Sequence, residues 1–222
     1  MILDDTIVAA ATPYGYGGIA VVRLSGRAAE TITQNICRRT AKFKDRHATV
    51  VTLYGSNKEP FDDAVITFYK HPNSYTGEDI VEFSCHGSPT IVEKIIELAM
   101  NLGARTAEPG EFTHRAFING KLDLVQAESV AAVISGQGEK SIQLNHRVLS
   151  GELSKKITAI KKSIIDALSY VEFELDVSED DLVPDAVRRV KQIISLALSE
   201  MSLLENSFRE GRLLNRGASV VI

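Results

Sequence analysis

The amino-acid sequence predicts an α+β protein, with a mixed α/β domain followed by an all-α domain. Up to about residue 120, short runs of β-branched and aromatic residues alternate with turn dipeptides such as Thr76-Gly77 and Asn119-Gly120. Beyond Lys121, prolines become rare and apolar residues recur at steps of three and four, which is the spacing of amphipathic helices. We therefore expect one domain over residues 1–120 and a helical domain over residues 121–217.

Strands and helices are both predicted in the first domain. The β-rich runs are expected to form strands at residues 6–11, 18–24, 48–54, 64–69, 80–85 and 104–107. Helices are expected at residues 26–38, at residues 88–102, and over about two turns between Pro109-Gly110 and Asn119-Gly120. The stretches TPYGYG and GSNKEPFDD are expected to be loops between strands because they are rich in turn-forming residues.

Three helical stretches are predicted in the second domain. The first covers residues 122–134, and the second is a long amphipathic helix over residues 141–175. After an acidic break at residues 176–181, Pro184 fits the first turn of a third helix, whose apolar residues form a coiled-coil-like seam over residues 187–208. A hairpin of two helices offers each seam only one partner, so we expect further helices to complete this domain.

The composition is that of an ordinary soluble globular protein. Hydrophobic residues make up 44% of the 222 residues and charged residues 24%. No apolar run reaches the roughly 18 to 20 residues that span a bilayer. The first residues carry an Asp-Asp pair and no basic leader. We therefore expect a cytoplasmic protein without a membrane segment.

The net charge and the two cysteines limit which nucleic-acid, thiol and metal sites the sequence predicts. The formal net charge of −4 argues against a nucleic-acid binder that is basic overall. The chain has two basic clusters, which are Arg38, Arg39, Lys42, Lys44 and Arg46, and Lys155, Lys156, Lys161 and Lys162. Such clusters are more often solvated helix faces than RNA contacts, and they are the positions to test for RNA binding. Cys37 and Cys85 form no metal or disulfide pattern, and Cys85 beside His86 is a candidate exposed thiol. No metal site is expected, because no group of His, Cys, Asp and Glu has ligand spacing.

The most informative stretch is PGEFTHRAFINGK, at residues 109–121, because folding alone does not require it. Its turn dipeptides bracket the short predicted helix, and Glu111, His114, Arg115 and Lys121 place four ionisable groups close together in sequence. One explanation is an amphipathic helix with an exposed Glu111–Arg115 ion pair. The other is that Arg115 lines a pocket.

Four ordered segments of the chain resemble one family. The run PGEFTHRAFINGKLDLVQAE resembles the signature of the MnmE (TrmE) family of tRNA-modification GTPases. The segments DTIVAAATPYGYGGIAVVRLSG, NSYTGEDIVEFSCHG and REGRLLNRGASVVI agree with the same family in order and spacing. The resemblance implies an N-terminal folate-binding domain whose fold is similar to that of folate-dependent aminomethyltransferases. It also implies that this domain dimerises, and that the first part of a helical domain follows it.

The resemblance also implies that the chain is part of a longer protein. In the family, a strand at the position of residues 218–222 leads into the GTPase domain, which uses GTP, Mg²⁺ and K⁺. These 222 residues contain no G-x-x-x-x-G-K-[ST] phosphate-binding loop. We therefore expect the full-length protein to be a GTP hydrolase, and this chain alone neither to bind nor to hydrolyse GTP.

By the same resemblance, Arg23, Glu82 and Lys121 are expected to contact 5-formyl- or 5,10-methylene-tetrahydrofolate. A carboxylate such as Glu82 can hold the donor–acceptor edge of a pterin through two parallel hydrogen bonds. Arg23 and Lys121 suit the anionic glutamyl tail or the orientation of the one-carbon unit. Taken singly, each residue also has a plain structural explanation. Arg23 can be an ordinary polar residue on a strand, Glu82 can occupy a solvent-facing strand position, and Lys121 can be a solvated lysine. No residue is assigned a catalytic role.

The resemblance implies addition of an aminomethyl or carboxymethylaminomethyl group to the wobble uridine (U34) of certain tRNAs. Folate would supply the one-carbon unit, and the protein would act as a homodimer with an FAD-dependent partner, MnmG. One alternative is a stand-alone folate-dependent transferase of the aminomethyltransferase type. The other is a dimerisation scaffold with a vestigial pocket. Folate binding, and turnover by this chain alone, distinguish these functions.

Overall fold

The computed structural model of the chain describes residues 5–136, 138–176 and 186–216. The chain forms two compact units, which divide between Leu122 and Asp123. The first unit contains a β-sheet and three helices, and the described part of the second contains helices alone. The α+β class predicted from the sequence is confirmed, with mixed α/β structure first and helices after it.

A six-stranded sheet is the centre of the first unit. In chain order its strands are β1 (Ile7–Ala10), β2 (Gly17–Ser25), β3 (Ala48–Tyr54), β4 (Pro60–Tyr69), β5 (Ile80–Gly87) and β6 (Arg105–Thr106). Their order in the sheet is β3-β4-β5-β2-β1-β6. The pair β1 and β6 is parallel, and the other neighbours are antiparallel.

One face of the sheet packs against two helices, α1 (Ala29–Ile36) and α2 (Pro89–Asn101). Alternation along the strands places Val22 and Phe83 on this face, and both are fully buried. Helix residues such as Ile32 join them in one hydrophobic core. Burying each large apolar side chain contributes about 1.5–3 kcal/mol, so this layer is the main source of stability in the first unit.

The opposite face of the sheet carries Arg23 and Glu82, which alternate along their strands with the buried positions. The third helix of this unit, α3 (Glu111–Ile118), contributes to this face. The ring of its Phe112 lies 5.6 Å from the guanidinium carbon of Arg23. The two faces therefore differ in kind, with an apolar core on one side and charged and aromatic groups on the other.

A buried ionic network anchors α3. The Arg115 side chain is fully buried, and its Nη2 donates to Asp5 at 2.7 Å and to Glu111 at 2.9 Å, while its Nη1 donates to Glu78 at 3.2 Å. Arg105 forms ion pairs with Asp5 and Glu111 at 2.5 and 2.6 Å. The predicted Glu111–Arg115 pair therefore forms, but its predicted exposure is wrong. Asp5 and Glu78, which are distant in sequence, bind the same guanidinium and allow it to be buried.

Two further predictions for the first unit are wrong. Strand β4 begins at Pro60, inside the stretch expected to be a loop, because Asp62 and Asp63 accept hydrogen bonds from His86 and Thr52 on the two neighbouring strands.

Cys85 is buried, because it alternates with the exposed His86 and falls on the core face of β5. Burial raises the pKa of the Cys85 thiol to about 11 and that of Cys37 to about 12. Neither thiol therefore has thiolate character at neutral pH.

The described part of the second unit has four helices: α4 (Leu124–Ser135), α5 (Glu139–Leu149), α6 (Glu152–Asp176) and α7 (Ala186–Arg216). Helix α4 begins with a capping box, in which the side chains of Asp123 and Gln126 each accept a hydrogen bond from the backbone N–H of the other. Helix α6 packs against α7, and α4 packs against α5.

The single long helix predicted over residues 141–175 is wrong. The helix ends at Leu149 and a new one begins at Glu152, because Gly151 has a φ of 86°. This left-handed conformation favours glycine and ends a helix. The predicted helix start at Pro184, the acidic break beyond Asp176 and the predicted strand at residues 218–222 lie outside the described residues. Of the helices that the structure describes, none combines the length and hydropathy that a bilayer span requires.

Candidate functional site

Arg23 and Glu82 form an ion pair on the polar face of the sheet. They are direct partners in the antiparallel register of β2 and β5, so their side chains point to the same side. The Nε and Nη2 atoms of Arg23 donate to Oε1 of Glu82 at 2.9 and 2.6 Å. The side chains are 27% and 22% exposed, so the pair is partly shielded from solvent and still within reach of a ligand.

Three aromatic side chains surround this pair. The Tyr69 hydroxyl, from β4, donates to Oε2 of Glu82 at 3.3 Å. The rings of Tyr75 and Phe112 lie 5.7 and 5.6 Å from the guanidinium carbon of Arg23, within cation–π range. Burial and then the neighbouring Glu82 carboxylate raise the pKa of Tyr69 above its usual value, so the hydroxyl keeps its proton and stays a donor at neutral pH.

This arrangement suits a planar ligand that carries hydrogen-bond donors. A carboxylate has about four lone-pair positions, and Glu82 uses two at Oε1 and one at Oε2. A ligand with two neighbouring N–H groups can take both oxygens if Arg23 gives up a hydrogen bond. The released guanidinium can then bind an anionic or carbonyl group of the same ligand, and the rings beside it offer surfaces for stacking.

Lys121 lies against the loop that carries Tyr75. Its Nζ donates to the carbonyl oxygen of Pro72 at 3.1 Å. Its Cγ would lie 3.3 Å from a Cβ atom at Gly77, whose φ is 80°. The structure thus brings Arg23 and Glu82 into direct contact and connects Lys121 to them through this loop.

The loop between β4 and β5 is held by polar contacts at its base. The Ser25 hydroxyl shares a hydrogen bond with the Thr76 hydroxyl at 2.7 Å and donates to Oε2 of Glu78 at 2.7 Å. Asn119, at the end of α3, donates to the carbonyl oxygen of Thr76 at 2.7 Å. Glu78 also binds the buried guanidinium of Arg115. Both ring-bearing segments beside the ion pair, this loop and α3, are therefore tied to one network.

The sequence alone does not identify the aromatic neighbours of the ion pair, which are Tyr69, Tyr75 and Phe112. Alternation along β4 indicates which side of its own strand Tyr69 occupies, but not which strand lies beside it. Phe112 and Ala116 stand four residues apart, a spacing that puts both on one helix face and predicts that both face a core. Ala116 is buried as that spacing indicates, whereas Phe112 faces Arg23.

Two protein families match the chain. The family described as GTP-binding protein TrmE N-terminus matches residues 6–121, and the MnmE helical domain family matches residues 124–219. The chain belongs to the MnmE (TrmE) family. The gap between the two matched ranges falls where the structure divides into its two compact units, between Leu122 and Asp123.

Curated MnmE proteins are similar to the chain over nearly all of its length. It is 39% identical over 220 residues to the tRNA modification GTPase MnmE of Aquifex aeolicus, covering 99% of this chain and 49% of that protein. The chain is 40% identical over 230 residues to the protein of the same name from Carboxydothermus hydrogenoformans, covering 99% of this chain and 49% of that protein. It is 41% identical over 220 residues to that of Thermotoga maritima, covering 98% of this chain and 48% of that protein. The chain therefore spans about half the length of the MnmE relatives it matches.

Family membership, predicted from four ordered motifs, is thus confirmed. Two of those MnmE motifs are neighbouring strands in the sheet: GGIAVVRLSG contains β2 with Arg23, and TGEDIVEF leads into β5 with Glu82. The roles of Arg23, Glu82 and Lys121 in ligand binding stay predictions.

Proposed function

We propose that this chain is the folate-binding and dimerisation part, with the first part of the helical domain, of a tRNA modification GTPase. The observation that carries the proposal is the Arg23–Glu82 contact. These residues stand 59 positions apart, were assigned to folate from separate motifs, and meet on one partly exposed surface. The relatives named tRNA modification GTPase MnmE support the tRNA part of the proposal.

In this proposal Glu82 holds the donor edge of the pterin of 5-formyl- or 5,10-methylene-tetrahydrofolate. Arg23, released from one of its bonds to Glu82, orients the one-carbon unit or binds the glutamyl tail, and Lys121 supplies a second cation for that anionic tail. Tyr75 and Phe112, already beside the Arg23 guanidinium, flank the ligand rings. Tyr69 keeps the Glu82 carboxylate in position through its hydroxyl.

The wider function proposed for the full-length protein follows from its family. It adds an aminomethyl or carboxymethylaminomethyl group to the wobble uridine (U34) of certain tRNAs, acting in the cytoplasm with the FAD-dependent partner MnmG. It forms a homodimer through the N-terminal unit. Hydrolysis of GTP, with Mg²⁺ and K⁺, belongs to a GTPase domain that we propose begins at residues 218–222.

Calorimetric titration of the chain with 5-formyltetrahydrofolate tests the binding site. We expect saturable micromolar binding, weakened about 10- to 100-fold by Glu82→Gln, because hydrogen bonds to a charged group are worth about 1.5–3 kcal/mol. The matched control is Glu97→Gln, which removes the same charge from an exposed position on α2 and should leave the affinity unchanged.

Equal affinity of the Glu82→Gln variant and the wild type would show that the site is wrongly placed. A folded dimer that ignores folate would favour the scaffold alternative. Transfer of the one-carbon unit by this chain alone would favour the stand-alone transferase.

A further inference from the structure

An exposed basic segment lies between α1 and β3. Residues 38–46, which we call the basic segment, carry five cationic side chains and one carboxylate, Asp45. All five cations are exposed: Arg38, Arg39, Lys42, Lys44 and Arg46. The positive charge is therefore concentrated locally in a chain whose formal net charge is −4.

Hydrogen bonds to α1 and β4 anchor the basic segment, including one from the backbone N–H of Arg46 to the carbonyl oxygen of Phe68 at 2.7 Å. The Phe43 side chain is buried, and its backbone N–H donates to Glu30 of α1 at 2.9 Å. The Asp45 carboxylate accepts a hydrogen bond from the backbone N–H of Lys70 at 2.8 Å. The only carboxylate of the segment is thus already engaged by the neighbouring strand end. The segment presents its cations from a fixed backbone.

Rings and carbonyl groups, and not carboxylates, hold the arginines of the basic segment. Arg38 lies 5.3 Å from the ring of Tyr54, and Arg39 lies 5.4 Å from the ring of Phe43. Arg39 also donates to the carbonyl oxygen of Ala41 at 3.1 Å. In the part of the chain that the structure describes, the ion pairs involve other residues, so no Asp or Glu neutralises these cations.

Arg46 connects the basic segment to the candidate site. Its guanidinium carbon is 5.6 Å from the ring of Tyr69, and the Tyr69 hydroxyl donates to Glu82. The Arg46 guanidinium also donates to the carbonyl oxygen of Asn73, in the loop that carries Tyr75. A single aromatic side chain therefore separates the end of the basic segment from the Arg23–Glu82 pair.

We propose that the basic segment binds the phosphate backbone of an RNA whose reacting base is presented beside the Arg23–Glu82 site. The inference rests on the proposed function, in which a tRNA is the substrate. RNA fits this surface better than an acidic protein does, because the centre of a protein interface is apolar. Among the described residues, none of the exposed large hydrophobic side chains belongs to the basic segment. Guanidinium groups bind phosphate oxygens in pairs, and lysines add point charges along a backbone.

Fluorescence anisotropy with a labelled tRNA transcript that carries uridine at the wobble position tests this surface. The variant Arg38→Gln, Arg39→Gln, Lys42→Gln, Lys44→Gln removes four cations and leaves Arg46 beside Tyr69. If four phosphates are contacted, the slope of log affinity against log salt falls by about 3, and affinity at 0.1 M salt falls on the order of 100-fold.

The chain contains a matched control. The variant Lys155→Gln, Lys156→Gln, Lys161→Gln, Lys162→Gln removes the same number of charges from the exposed lysines of α6. We expect it to change the affinity less than about threefold and to leave the salt slope almost unchanged. An equal loss in both variants would show that the basic segment contributes no more to RNA binding than the α6 lysines do, and would overturn the proposal.

Other outcomes are equally decisive. Unchanged RNA affinity in the first variant would overturn the proposal, as would displacement of the RNA by poly-L-glutamate at equal charge, which indicates a general anion surface. If circular dichroism shows that the four-residue variant is unfolded, Lys42→Gln with Lys44→Gln should still lower the slope by about 1.4.

Folate titration of the same variants separates this proposal from the one on which it rests. Lost RNA binding with unchanged folate binding supports both. RNA binding that depends on the basic segment in a chain that ignores folate would support the RNA surface and contradict the folate site.

Discussion

Replacing Arg115 with Met should destabilise the first unit more than any exposed substitution. The buried guanidinium donates six hydrogen bonds, to Asp5, Glu78 and Glu111. Met fills a similar length without charge, so Glu78 loses its ion pair with Arg115, while Asp5 and Glu111 both keep Arg105. Removing one member of a buried ion pair costs about 3–5 kcal/mol. Because Glu111 stays paired, we expect a loss of about 3 kcal/mol, at the lower end of this range.

Urea unfolding followed by tyrosine fluorescence measures this loss, because five of the six tyrosines precede Leu122. With a urea dependence of about 1–3 kcal/mol per molar, the midpoint should fall by about 1–3 M. Arg39→Met is the control, because Arg39 is exposed and contacts a ring and a carbonyl; it should cost less than about 1 kcal/mol. A loss below about 1 kcal/mol for Arg115→Met would refute the reasoning, because an apolar side chain would then replace the network without cost.

Two further predictions use the same assay. A Cβ atom at Gly87 would lie within 3.0 Å of three backbone atoms of Gly17 on the neighbouring strand, so Gly87→Ala should cost about 1–3 kcal/mol. Gly18→Ala, where nothing lies within 4 Å, should cost less than about 0.5 kcal/mol, and equal costs would contradict the close approach. The hydrogen bond from Arg105 lowers the pKa of Glu111 from 4.5 to about 2 despite partial burial, so stability present above pH 4.5 should be lost as the pH falls towards 2. Glu111→Gln should flatten this decrease in the urea midpoint, and an unchanged pH dependence in that variant would count against the assignment.

Local patterns in the sequence located most of the elements. The prediction for residues 48–54 matches β3 at both ends, and the short helix α3 lies between Gly110 and Gly120, whose φ values are 79° and 68°. These successes share one cause: periodicity and turn residues act within a few positions of one another. The break at Gly151 was missed because the apolar period continues across it, so a single glycine was weak evidence against one long helix.

Contacts between distant residues could not be predicted in the same way. The Arg23–Glu82 pair depends on the register of β2 against β5, and no local pattern encodes which strands become neighbours. The burial of Arg115 depends on Glu78 and Asp5, which stand 37 and 110 positions away. The resemblance to a family predicts which residues bind a ligand at the site. It did not indicate that a buried ionic network supports the segments around them.

The position of β1 has a consequence for synthesis of the protein. Strand β1 lies between β2 and β6, and Arg105 of β6 binds Asp5 across 100 positions of sequence. At about 5–20 residues per second, a ribosome needs roughly 5–20 s to make that stretch. During this interval one edge of β1 has no strand beside it, and unpaired strand edges promote aggregation. The chain is therefore most exposed to misassembly while it is being translated, before residues 105–115 can close the sheet.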